Sequence, residues 1–190
     1  MLASVMVMTL TEQLAEQLDW HWRSQLRPRL DGLTDDEYFW EPVPGMWSIR
    51  RRGTSTAAES LGGGEYTLDY ADPEPEPAPA TTIAWLMGHL IVGVLGLRAA
   101  SHFGGPAMGW ETFHFAGSAE EALKQFDTTY AAWNAGVRGL SADDLARPIG
   151  PAEGPWADSP MSDLVLHINR EVLHHGAAIA QLRDLYLWKA

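Results

Sequence analysis

The 190-residue chain contains no cysteine. This absence excludes disulfides, thiolate nucleophiles and cysteine-ligated metals, and it leaves the redox compartment undetermined. A bound metal would therefore need histidine, aspartate or glutamate ligands. The sequence also has no internal repeat, so it does not predict a repeat architecture.

Basic residues are scarce: 13 lysines and arginines stand against 25 aspartates and glutamates, for a formal net charge of −12. An acidic surface repels phosphate backbones and anionic lipids, which argues against nucleic-acid and membrane-surface partners. Hydrophobic residues make up 46% of the chain, as is normal for a globular protein. We predict a single domain over residues 1–190.

No apolar run is long enough to predict a membrane span. The longest, residues 83–97, is interrupted by His89 and three glycines. The apolar start of the chain lacks a basic region and an A-x-A-like cleavage motif, so it does not predict a signal peptide. We expect residues 1–8 to be a flexible N-terminus and the protein to be soluble and cytoplasmic.

Four long segments have the apolar spacing of amphipathic helices. Pro28 ends or kinks the first, and Gly104 stops the second after about Phe103. The predicted helices begin at Thr9 or Thr11, at Thr81 or Thr82, at Ser118, and at Ser159 or Ser162. No segment convincingly predicts a strand. The fold class that we predict is therefore all-α, a four-helix bundle with long loops between its helices.

Residues 53–80, before the second helix, have the composition of a surface insertion. They contain three consecutive glycines and the acidic proline run of residues 72–77. Such a sequence favours extended polyproline geometry, and we expect it to form no packed core. A short hairpin at residues 65–68 fits the pattern. A loop of this length is often either disordered or a lid near a site.

The fourth helix has a carboxylate on its apolar face. Leu164, Ile168, Ala178, Leu182 and Leu185 define that face, and at 100° per residue Glu171 lies at its centre. His167 and His175 flank Glu171 one turn away on each side. Because an unpaired buried charge is costly, we expect these groups to pair with one another or with a cation.

The second helix has one ionisable residue within its apolar run, His89. A lone histidine on an apolar face is usually a satisfied core residue, but the Glu171 face supplies a partner. Gly93 and Gly96 lie on the same side of the helix as His89, and glycine is unfavourable inside a helix. They predict either the close approach of another helix or an open pocket.

His89, Glu171 and His175 together form a candidate metal site. Three protein ligands that leave open positions are typical of a reactive site, and two histidines with one carboxylate suit Zn, Ni or Fe(II) without distinguishing among them. His167 is our candidate catalytic residue, with three roles open: fourth ligand, hydrogen-bond partner of a ligand, or general base. His174 lies at the edge of the face and is the weaker candidate.

The run from His167 to Gly176, HINREVLHHG, resembles the last-helix motif of the DinB/YfiT-like family. Two further matches are the Trp85-x-x-x-His89-Leu90 pattern and the Trp47-Ser48 pair. The chain departs from the family pattern at Glu171, where a histidine usually stands, and at residues 53–80, where the family is normally short. The resemblance covers most of the chain.

This resemblance implies a metal-binding four-helix bundle that acts as a homodimer on a small-molecule substrate. Some relatives resemble transferases or isomerases that use a low-molecular-weight thiol such as mycothiol or bacillithiol. Since this chain has no cysteine, a cosubstrate would have to supply the thiol. The expected function is thus a metal-dependent transferase, isomerase or hydrolase acting on a small electrophile.

Two alternatives remain open from the sequence. In the first, the protein is a non-catalytic small-molecule-binding or stress-associated bundle, and Glu171 pairs internally with His89 or His175. In the second, the nine tryptophans form a protein-interaction surface, although most of them fit core or bundle-end positions.

Overall fold

The computed structural model describes residues 8–189 and is mostly helical, with one small sheet. The N-terminus predicted to be flexible lies outside the described residues, apart from Met8. The helices are α1 (Leu10–His21, then Trp22–Leu26 with π geometry and Arg27–Arg29), α2 (Asp35–Tyr38), α3 (Ile83–Gly88, then His89–Gly96 with π geometry and Leu97–Phe103), α4 (Ala119–Arg138), α5 (Ala142–Ala146) and α6 (Met161–Leu187).

The four long helices are those predicted from the sequence. Thr9 and Glu12 form the predicted capping box of α1, and the Thr82 and Ser118 side chains cap α3 and α4. Helix α6 begins at Met161, after Pro160, with no side-chain cap. Helices α1 and α3 each contact both α4 and α6. Their buried side chains form one hydrophobic core, in which Trp22 of α1 stacks on Tyr130 of α4.

A three-stranded antiparallel sheet precedes α3. Its strands are β1 (Ile49–Arg51), β2 (Glu59–Leu61) and β3 (Tyr66–Tyr70), with β3 in the centre. Leu68 of β3 pairs with both Ile49 and Leu61. The prediction of a purely all-α fold is therefore wrong for this segment.

The sheet also corrects the expectation that residues 53–80 form no packed core. Thr67, Leu68 and Asp69 are almost fully buried. At Gly88 of α3, a Cβ would lie 2.9 Å from Leu68 Cδ1 and 3.1 Å from Ile49 Cδ1, so the sheet packs directly on the helix. β-branched and aromatic residues in β3 supply the strand preference that the glycine and proline content concealed.

Helix α3 is the one helix among residues 8–189 that is long and apolar enough to cross a membrane by length and composition. The expectation that no run reaches that length is wrong, because neither His89 nor the glycines end the helix. However, 72% of its most apolar 18-residue window is buried inside the fold. Such burial is typical of the central helix of a globular core.

Candidate metal centre

His89 begins the π-helical segment of α3. Short π-helical stretches within α-helices frequently occur at functional sites. The imidazole is held between two indoles: Trp85 stacks on it at a centroid distance of 5.4 Å, and Trp110 stacks at 6.2 Å. A Cβ at Gly93 would lie 2.5 Å from Trp110 Cζ2, so glycine at this position admits the indole. The close approach predicted at this glycine comes from the loop before α4, and not from another helix.

Glu171 lies at the edge of the buried face of α6, and not at its centre as predicted. The centre of the buried face is near Val172, which is fully buried together with Val165 and Ile168. Glu171 is therefore turned by about 100° from that centre, and its side chain is 24% exposed. The predicted stripe was displaced because it left out Val165, Val172 and Ile179, which are fully buried, and counted Leu185, which is half exposed.

The structure brings together the three predicted ligands, one from α3 and two from α6. One ligand atom from each of His89, Glu171 and His175 lies within 4.8 Å of the other two. His175 Nε2 is 3.3 Å from Glu171 Oε2. Two ligands of one tetrahedral cation, with bonds of about 2.1 Å, are about 3.4 Å apart. The donor set and the Glu171–His175 spacing thus fit a divalent metal, with positions left open for other ligands.

The imidazoles of the site favour their neutral forms, which are the forms that bind metals. Burial, and then the proximity of His175, lower the pKa of His89 from its ordinary 6.5 to about 4. Burial also lowers the pKa of His175, although Glu171 opposes this shift. With two neutral imidazoles and one carboxylate, the three ligands carry a single negative charge when Glu171 is ionised.

His167 and His174 lie outside this group. His167 Nδ1 is 2.7 Å from Arg170 Nη2 and 3.7 Å from Glu171 Oε1, and its side chain is 42% exposed. It flanks Glu171 on the side away from His175, which favours a role beside a ligand over a role as a fourth ligand. His174 is exposed, and its ring centre is 5.0 Å from that of His175.

The Trp47-Ser48 pair fixes the start of α3 to the sheet. Ser48 Oγ accepts a hydrogen bond from Thr82 Oγ1 at 2.9 Å, and the backbone N–H of Ser48 donates to Asp69 Oδ2 at 2.9 Å. The Trp85 indole N–H donates to the carbonyl oxygen of Asp69 at 2.9 Å. These bonds fix the position of the Trp85 indole, which in turn stacks on the His89 ring.

A pocket of about 710 Å³ opens beside His89. Its walls come from α3, the sheet, the segment after β3 and the loop before α4. The aromatic side chains among its lining residues are Trp47, Tyr70, Trp85 and Trp110. His89 therefore lines a cavity large enough for a small organic molecule.

A second pocket, of about 520 Å³, lies on the His167 side of α6. Arg98, Glu153 and Arg170 are among its lining residues. Glu153 accepts hydrogen bonds from Arg98 Nη2 at 3.1 Å and lies 2.9 Å from His102 Nε2. These contacts fasten the loop before α6, including the exposed Trp156, to the end of α3.

Sequence reasoning missed two contributors to the site, Asp69 and Trp110. Asp69 lay in a segment interpreted as an unpacked insertion, although the pattern YTLDY at residues 66–70 carries a strand signal that could have found it. Trp110 lies in a glycine-rich connection without periodicity. Gly93 was the one signal that some bulky group approaches α3 there.

Comparison with known proteins gives the family. No curated protein and no solved structure matches the chain. A sequence model of the DinB superfamily matches residues 50–179, which is more than half of the chain and includes His89, Glu171 and His175. The chain therefore belongs to the DinB superfamily.

Proposed function

We propose that this protein is a four-helix-bundle metalloprotein whose divalent cation is bound by His89, Glu171 and His175. The observation that carries the proposal is the convergence of three suitable ligand atoms within 4.8 Å, from two helices that are far apart in sequence. The low pKa of both histidines, caused by burial, supports it, because no proton has to be removed from them for binding near pH 7.

The side chains around the site have distinct roles in this proposal. Glu171 offsets part of the cation's charge, and Trp85 and Trp110 fix the plane of the His89 ring. A divalent cation held there supplies Lewis acidity to a bound water, thiol or carbonyl group. The aromatic pocket beside His89 excludes water from one side of the reacting groups and holds the substrate.

We further propose that the reaction is a metal-dependent group transfer, isomerisation or hydrolysis on a small electrophile. The nucleophile is either water or a low-molecular-weight thiol that enters as a cosubstrate, because the chain has no cysteine of its own. His167, beside Glu171 and open to solvent, acts as the base that accepts the nucleophile's proton. Histidine is the side chain that most often serves as a general base in enzymes.

Metal binding is tested by titrating chelator-treated protein with Zn²⁺, Ni²⁺ and Fe²⁺ and following the heat of binding. We expect one equivalent to bind, and His89→Ala and Glu171→Gln each to weaken binding at least 100-fold. His174→Ala is the matched control, since it removes an exposed imidazole next to His175. Retention of less than a tenth of an equivalent of every metal by the wild type would refute the proposal.

The 3.3 Å contact between Glu171 and His175 favours a second candidate function. In it the two groups form an internal pair, and the bundle binds a small molecule without catalysis. Zn²⁺ would then leave the melting temperature of the wild type unchanged, whereas His175→Ala would be strongly destabilising because it leaves Glu171 without its partner. Under the metal proposal, saturating Zn²⁺ raises the melting temperature of the wild type but not that of His89→Ala.

The resemblance to the family also supports three wider proposals: a homodimer, a small-molecule substrate and a cytoplasmic location. The acidic composition supports a fourth, that neither nucleic acid nor a membrane surface is a partner. Sedimentation of the full chain over a range of concentrations tests the dimer directly.

A further inference from the structure

The pocket beside His89 has an unusually aromatic wall. Trp47 leads into the sheet, Tyr70 ends β3, Trp85 lies one turn before His89, and Trp110 belongs to the loop before α4. Trp47 and Trp85 are tilted against each other at a centroid distance of 6.1 Å. Several aromatic rings from separate elements thus converge on one cavity.

The charged side chains that line the same pocket are all acidic, because His89 is neutral near pH 7. They are Asp72, Glu74 and Glu111, and all three are exposed. Within residues 8–189, no lysine or arginine forms an ion pair with any of them. Arg50 of β1 is already paired with Glu41 and Asp69.

Aromatic faces and unpaired carboxylates attract the same kind of ligand. The negative face of an indole or phenol attracts an organic cation, and carboxylates add a longer-range attraction. Both features disfavour a carboxylate or phosphate ligand, which would have no lining arginine or lysine to meet it. The apolar part of the wall, Leu61 and Leu68, provides room for a hydrocarbon body.

We propose that this pocket binds a small organic cation, an amine or quaternary ammonium group carried on an apolar or aromatic body, as the substrate of the metal site. That the cation is a substrate rests on the proposed function, whereas the selectivity for cations rests on the pocket alone. Tyr70, Asp72 and Glu74 come from residues 53–80, the segment in which this chain departs from its family pattern.

The test uses three probes of similar size: benzylamine, benzyl alcohol and benzoate. Their binding to the full chain is measured by isothermal titration calorimetry at pH 7, in chelator and again with added Zn²⁺. We expect benzylamine to bind at least about 10-fold more tightly than benzyl alcohol, and benzoate most weakly. Raising the salt concentration from 20 to 300 mM should reduce the preference for benzylamine, because salt screens exposed charges.

Two variants separate the contributions of charge and aromatic face. The triple variant Asp72→Asn, Glu74→Gln, Glu111→Gln should reduce the ratio of benzylamine to benzyl alcohol affinity about 10-fold. The control Asp36→Asn, Asp143→Asn, Asp158→Asn changes the net charge equally at exposed positions outside this pocket and should leave the ratio unchanged. Tyr70→Leu should weaken benzylamine binding about 3-fold more than benzyl alcohol binding.

The proposal is overturned by any of three results: equal binding of benzylamine and benzyl alcohol, equal effects of the two triple variants, or no binding of benzylamine. Because the measurement in chelator does not need a metal, a failure of the metal site leaves this outcome readable. Conversely, loss of cation selectivity with intact Zn²⁺ binding would refute only the inference about the ligand.

Discussion

Replacing Asp69 should destabilise the whole protein, although it lies in a segment rich in glycine and proline. Its side chain is 1% exposed. The carboxylate accepts hydrogen bonds from the Ser48 backbone N–H at 2.9 Å, Arg50 Nε at 2.8 Å and Ser55 Oγ at 2.6 Å. The Asp69 carboxylate thus accepts from Arg50 in β1, from Ser48 just before that strand and from Ser55 in the loop after it.

The expected loss follows from what the substitution leaves unpaired. Asp69→Ala removes one of the two carboxylates paired with Arg50, whose side chain is only 22% exposed, and Glu41 remains as the other. The buried Ser48 N–H and the Ser55 hydroxyl both lose their acceptor. A buried donor left without a partner costs about 1–3 kcal/mol, so we expect a total loss of about 3–5 kcal/mol. Against a total stability of about 5–15 kcal/mol, such a loss is large. Asp69→Asn keeps one acceptor oxygen and should cost less, about 1–3 kcal/mol.

Urea denaturation followed by far-UV circular dichroism measures these changes. Asp72→Asn, three residues later and exposed, is the control and should shift stability by less than about 0.5 kcal/mol. A loss below about 1 kcal/mol for Asp69→Ala would mean that the sheet is a dispensable insertion. Because Asp69 also holds Trp85 through its carbonyl oxygen, melting of the sheet should loosen the His89 site as well.

Three further predictions concern other parts of the molecule. Burial lowers the pKa of His89 from 6.5 to about 4, so as the pH falls the unfolded chain binds a proton at this residue before the folded protein does. The free energy of unfolding of the metal-free protein should therefore decrease by about 2 kcal/mol between pH 7 and pH 5 because of this group. Urea titrations at both pH values should show a correspondingly smaller decrease for His89→Gln. Glu37→Ala removes the bidentate partner of Arg183 and should cost about 3 kcal/mol, part of which the added change Arg183→Leu should restore. Gly136→Ala places a Cβ against the Phe103 ring and should lower the melting temperature despite its better helix propensity; a rise would show that the ring moves freely.

The predicted ligands and the predicted helices depend on different kinds of signal. Caps at Thr9, Thr82 and Ser118 and the regular apolar spacing are local, so they located the long helices correctly. The pairing of His89 with Glu171 and His175 joined residues more than 80 positions apart. It was predictable because a carboxylate and a histidine that are largely withdrawn from water need partners, and few others were available.

The position of Glu171 on α6 and the packing of residues 66–70 were decided only by tertiary structure. Apolar residues occur on more than one side of α6, so periodicity alone does not show which side is covered, and only packing decides that Val172 is buried while Leu185 is half exposed. Likewise, a small sheet of short strands gains stability when it packs on a helix, and α3 provides that surface at Gly88. The sequence by itself determined the helices and the donor atoms of the site. The aromatic enclosure of His89 and the acidic pocket beside it exist only because loops distant in sequence meet on one helix.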